Sequence, residues 1–122
     1  MKTFLLIGTG SAVGGICRCL VQVYMAKLVG VQFPFGTFLV NLSGCFLIGL
    51  LYGLAGRYAW LTFEWRLLLI TGVCGGYTTF SSFSYEAVSL LRQGSVLNFI
   101  LYAAGSVVLG VLATAVGMLA IR

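Results

Sequence analysis

The sequence has no histidine, no aspartate and only two glutamates, Glu64 and Glu86. General acid–base and hydrolytic chemistry needs positioned proton donors and acceptors, so the chain is expected not to be an enzyme. Side-chain metal sites lack material too. The four cysteines, Cys17, Cys19, Cys45 and Cys74, contain no C-x-x-C pair, and they read as small packing residues. Charge is scarce: charged residues are 7% of the 122 positions, where a soluble domain carries about 25%. The net charge of +5 includes no basic run, so the clustered face that nucleic acid requires is missing. Proline occurs once, at Pro34, which leaves long helices uninterrupted.

What the sequence has is apolar length. Hydrophobic residues make up 61%, more than a soluble fold can hide, so the solvent is a bilayer. A crossing takes about 20 apolar residues. Four windows meet that length: Phe4 to Leu28, Phe35 to Gly56, Leu67 to Leu91 and Val96 to Ile121. The first outruns the roughly 7–15 apolar residues of a signal peptide, so it is read as a retained helix. The windows use nearly all of residues 1–122, which predicts one four-helix transmembrane domain of all-α class. Pro34 suits a helix start. Tyr58, Trp60 and Trp65 form an interfacial aromatic belt. G-x-x-x-G pairs at Gly10/Gly14, Gly49/Gly53 and Gly72/Gly76 permit close helix packing.

Four crossings put Lys2, Arg57, Arg66 and Arg122 on one side, and Lys27 and Arg92 on the other. Arg18 lies within the first helix. Orientation follows the positive-charge bias, and this bias is small. Insertion in both orientations, followed by pairing of antiparallel copies, is one reading. A single orientation with the termini inside is the other. Four thin helices enclose little space for a pore, which favours a dimer or more.

The segment from Thr71 to Glu86, TGVCGGYTTFSSFSYE, puts glycines and hydroxyls inside the third window. Hydrocarbon accepts broken backbone only where protein or a water-filled cavity covers it, so this segment is read as part of a transport path. Gly75, Gly76 and Thr78 mark the break of the third helix. Freed carbonyls at such breaks hold cations, and with no carboxylate beside them the expected guest is Na⁺. Phe80 and Phe83 share a helix face. Their positive ring edges suit an anion, and the hydroxyls of Thr79, Ser81 and Ser82 flank them. Lipid contact or core packing is the plain alternative for both rings. Asn41 either bonds a neighbouring helix or offers its NH₂ to an anion. Glu86 either snorkels to the interface or lines a pore mouth. On the fourth helix Tyr102, Ser106, Gly110 and Thr114 fall at i+4 spacing and form one polar stripe. That stripe reads as pore lining, although each hydroxyl could also bond its own helix.

The stretches GTFLVNLSG at Gly36 to Gly44 and GVCGGYTTFSSFSYE at Gly72 to Glu86 resemble the signature motifs of the bacterial fluoride channel family, known as Fluc or CrcB. The likeness extends to the four-helix plan of the whole chain. It implies a fluoride-selective channel of the bacterial inner membrane that confers fluoride resistance. It also implies an antiparallel, dual-topology homodimer with two pores. Asn41 maps to the family's pore asparagine, and Phe80 and Phe83 map to its paired phenylalanines. Main-chain carbonyls of Gly75 and Thr78 from both chains map to a central Na⁺ site. Tyr102 and Ser106 map to the hydroxyl track, and Arg18 to an aqueous vestibule. Ser82 stands where the family often has threonine. Gly110 stands where a hydroxyl is common, a gap that Thr114 fills on the same face.

Small multidrug exporters are the runner-up, being short four-helix chains of dual topology. They resemble proton-coupled antiporters with an acid in the first helix, where this chain has Arg18. A pore-free assembly subunit is the third reading, and the polar stripe argues against it.

Overall fold

A computed structural model describes residues 1–30 and 32–121. Among the described residues every regular element is helical. Helix α1 spans Lys2–Val29 and stops at Gly30, whose φ of 78° only glycine adopts freely. Its N–H caps the Ala26 carbonyl at 3.0 Å. Helix α2 spans Phe35–Arg57 and begins at Pro34, whose carbonyl accepts the Phe38 N–H at 3.0 Å. The last helix, α6, spans Val96–Leu119. These three are long and apolar enough to cross a membrane.

The third window is a composite. It opens with the short helix α3, Phe63–Arg66, continues as a π-helix over Leu67–Cys74, and narrows to the single turn α4, Gly75–Tyr77. Thr78 and Thr79 are extended, and helix α5 then runs Phe80–Arg92. The break is therefore present, at Thr78 and Thr79; of the three residues expected to mark it, Gly75 and Gly76 are still helical and only Thr78 lies at the break itself. The π-helix before it was not anticipated, because apolar patterning does not separate π from α winding.

The three span-length helices and the bent composite between α2 and α6 make one bundle. Helix α1 lies along the π-helix and α4, α2 packs against α1 and α6, and α5 leans on α6. Contact is close because glycines remove the side chains between backbones. A Cβ at Gly10 would sit 2.8 Å from the Gly72 Cα. One at Gly49 would collide with the Thr114 carbonyl oxygen.

Large apolar side chains such as Phe4, Leu97 and Val111 stay exposed on the outside, as a lipid-facing surface requires. Among the described residues the largest fully buried side chains are few: Tyr102, Leu61, Val40 and Thr37. This is a multi-pass membrane architecture.

Charge marks one end of the bundle. Lys2 pairs with Glu64 at 3.1 Å. Arg57 donates to the Ile121 carbonyl at 2.8 Å, and Arg66 to the Ala55 carbonyl at 3.3 Å. The residues before α1, after α2, at α3 and after α6 thus gather together, as four crossings demand. Arg122, counted with them from sequence, lies outside the described residues.

Candidate functional site

The break organises the polar groups. Thr78 ends the helical run: its N–H and its Oγ1 both donate to the Cys74 carbonyl, at 3.0 and 2.9 Å. The Thr79 N–H then turns aside to Asn41 Oδ1 at 2.8 Å, while Asn41 Nδ2 donates to the Thr79 carbonyl at 3.0 Å. This two-way pairing fixes the amide orientation, since only the oxygen can accept and only the nitrogen can donate. One hydrogen of the Asn41 NH₂ remains uncommitted by the pair. Thr79 also caps α5, its hydroxyl accepting the Ser82 N–H at 3.2 Å. Ser81 Oγ lies 3.2 Å from the same hydroxyl.

Beside the break lies an open cleft of about 310 Å³, lined by Asn41, Thr78, Thr79, Phe80, Phe83 and Ser106, with Cys45, Ile48 and Val107. None of its lining residues is charged. Phe80 and Phe83 sit on successive turns with ring centroids 5.6 Å apart and planes inclined at 47°. Phe80 projects outward, 78% exposed. Phe83 packs inward on Tyr102. The N-terminus of α5 meets the cleft at Phe80, and helix starts carry partial positive charge and unpaired N–H groups.

A second, smaller cavity of about 160 Å³ opens at the start of α2, with Gln22, Thr37, Glu86, Ser89 and Gln93 in its wall. Gln22 Nε2 donates to Thr37 Oγ1 at 3.0 Å. Tyr102 donates to Glu86 Oε1 at 3.4 Å. Glu86 thus faces a polar mouth within reach of a hydroxyl. Arg18 does not join it. Its Nε is buried without a hydrogen-bond partner among the described residues.

The polar stripe of α6 faces α2, and its members differ. Ser106 lines the cleft. Tyr102 is fully buried among Phe33, Phe38 and Phe83. Gly110 is buried against Cys45. Thr114 Oγ1 lies 3.1 Å from both the Cys45 and Gly110 carbonyls.

Gln22, Thr37, Ser43 and Tyr77 were missed from sequence. The available signals were an amide in a mostly apolar first helix, and a threonine, a serine and a tyrosine inside the two motifs themselves.

Among the described residues no group of three or more His, Cys, Asp or Glu side chains could hold a metal.

The comparisons with known proteins agree along the chain. The family model described as CrcB-like protein, Camphor Resistance (CrcB), matches residues 5–118. A protein of Chlorobium phaeobacteroides named fluoride-specific ion channel FluC is 49% identical over 93% of this chain and 88% of its own length. One of the same name from Agrobacterium fabrum is 45% identical over 97% of this chain and 94% of its own. A third, from Rhizobium meliloti, is 43% identical over 100% and 98%. With a family match across almost every described residue and relatives aligned nearly end to end, the chain belongs to the CrcB-like family.

Proposed function

We propose that the chain is a fluoride-selective channel through which cytoplasmic fluoride leaves a bacterial cell passively. The observation that carries this reading is the cleft at the break. It joins uncharged donors, the second hydrogen of the Asn41 amide and the Ser106 hydroxyl, to the start of α5 and to two phenylalanine rings. Its relatives' name, fluoride-specific ion channel, supports the same ion.

Fluoride is small and strongly hydrated, so a path must replace its water with several donors at once. Ring edges add positive potential without a fixed charge that would trap the ion. An inside-negative membrane favours anion exit by about 2.3 kcal/mol per charge per 100 mV. Acid brings fluoride in as neutral HF, and the near-neutral cytoplasm holds the anion, so a passive exit suffices. The protein then resides in the inner membrane, and its consequence is fluoride resistance.

The single chain presents the cleft and Phe80 at its surface. A second antiparallel copy would close that side and complete two pores, in keeping with the small charge bias. The break also fits a central Na⁺. Gly75 and Thr78 offer neutral carbonyls, the donor type a hard monovalent ion accepts without charged ligands. A Cβ at Gly75 would meet only the Ile70 carbonyl oxygen, at 3.8 Å, so open space adjoins that turn. Two carbonyls per chain need a second chain to complete a shell.

Purified protein in liposomes tests the function. Rapid fluoride efflux with little chloride efflux is expected. Equal chloride flux, or substrate efflux that requires a proton gradient, would overturn the reading and favour an exporter.

A further inference from the structure

We infer that Asn41 is a positioning residue for the cation site: its pairing with Thr79 both frees the Gly75 carbonyl and aims the Thr78 carbonyl. The inference rests on the proposed Na⁺ at the break.

In a continuous α-helix the N–H of each residue bonds the carbonyl four residues back. The donor for Gly75 would be Thr79. That N–H instead goes to Asn41 Oδ1 at 2.8 Å. One side chain thereby removes the helical partner of the first proposed ligand. The second consequence follows from the peptide bond. The Thr79 N–H and the Thr78 carbonyl belong to one trans peptide unit, in which they point in opposite directions. With the N–H directed at α2, the Thr78 carbonyl is directed away from α2. The bond from Asn41 Nδ2 to the Thr79 carbonyl, at 3.0 Å, blocks rotation of the next peptide, so the turn is held at two consecutive units.

Helix α2 holds the same turn at two further points. Ser43 Oγ donates to the Leu39 carbonyl at 2.7 Å. Its one proton is then used, and the 2.9 Å contact with Tyr77 is a bond donated by the tyrosine hydroxyl. Gly44 leaves room for the Thr78 methyl, which a Cβ there would strike. Residues 77, 78 and 79 are each gripped by a different residue of α2. Asn41 therefore couples the two ion sites. Asn41 lines the anion cleft and keeps one amide hydrogen outside the Thr79 pair, while its two bonds to Thr79 shape the cation ligands.

The test uses the full chain in detergent. Thermal unfolding is followed while Na⁺ replaces N-methylglucamine at constant ionic strength. The unaltered chain should gain stability with Na⁺. Asn41→Ala should need roughly tenfold more Na⁺ or above for the same gain, the equivalent of about one lost hydrogen bond. Ser106→Ala, which alters the cleft and leaves the break intact, should respond as the unaltered chain does. Equal responses from Asn41→Ala and the unaltered chain would overturn the inference alone. No Na⁺ response in the unaltered chain would overturn the cation site, and the inference with it. A readout without any variant covers the case in which Asn41→Ala does not fold. Linked equilibria are reciprocal, so Na⁺ should slow hydrogen–deuterium exchange of the Thr79 amide. Unchanged exchange with saturating Na⁺ would refute the clamp.

Discussion

The ring of Phe83 lies 5.1 Å from that of Tyr102, inclined at 48°, while Phe80 one turn earlier is itself largely exposed. The two phenylalanines share a motif and a cleft but differ in what they cost the fold. Phe80→Ile and Phe83→Ile should both abolish fluoride efflux, since isoleucine fills space without a positive edge. Only Phe83→Ile should lower stability, by about 1 kcal/mol for the lost aromatic pair. Efflux assays and thermal unfolding measure the two effects separately. Full efflux in both variants would reduce the rings to packing.

Gly44→Ala should destabilise the break, because its methyl would overlap the Thr78 methyl. Forced overpacking costs about 1–3 kcal/mol. Thr78→Ser keeps the hydroxyl that bonds Cys74 and deletes the offending methyl. The double variant should recover most of the loss, and a double-mutant cycle of unfolding measures that coupling. Additive losses would contradict the packing described.

At Gly75 the outcome depends on assembly. Within one chain an alanine methyl has open space, so Gly75→Ala should fold with unchanged helix content by circular dichroism. An antiparallel dimer joined at this turn should be weakened. Subunit counting by photobleaching in dilute liposomes should show more single chains than the unaltered protein does. An unaltered dimer fraction would place the contact elsewhere.

Ser106 and Thr114 share a face but have different partners. Ser106→Ala should cut fluoride efflux more than it cuts stability. Thr114→Val should do the reverse and cost about 1 kcal/mol, the usual worth of an interhelical bond in a membrane. The reverse ranking would make Thr114, rather than Ser106, the α6 hydroxyl on the anion path.

Asn41→Asp should stop fluoride efflux. It replaces the amide donor in the cleft with a negative charge, which repels an anion. Stopped-flow or electrode-detected efflux from liposomes tests this, and efflux at the unaltered rate would exclude Asn41 from the path.

The sequence alone determined the three span-length helices to within a few residues and the presence of a break in the third apolar window, although that window's helix begins at Phe63 and the break falls at Thr78 and Thr79, after the Gly-Gly pair. Apolar length, Pro34 and the Thr78-Thr79 pair act locally, and in a bilayer each spanning segment must satisfy its own backbone. It also revealed that Asn41, Phe80, Phe83 and the α6 stripe are polar or aromatic outliers in a spanning context. The partner of each was decided only by the tertiary structure. Asn41 and Thr79 are 38 positions apart, and Thr114 and Cys45 are 69 apart, so neither bond leaves a trace in local spacing. Both alternatives held open for Asn41, a bond within the protein and a donor for an anion, are compatible in space, because its amide carries two hydrogens. Tyr102 reads as part of a hydroxyl track; only the tertiary structure shows that Phe33 and Phe38 bury its ring while its hydroxyl reaches Glu86. The π-helix of Leu67–Cys74 was invisible for the same reason: its winding changes which atoms meet α1, not which residues are apolar.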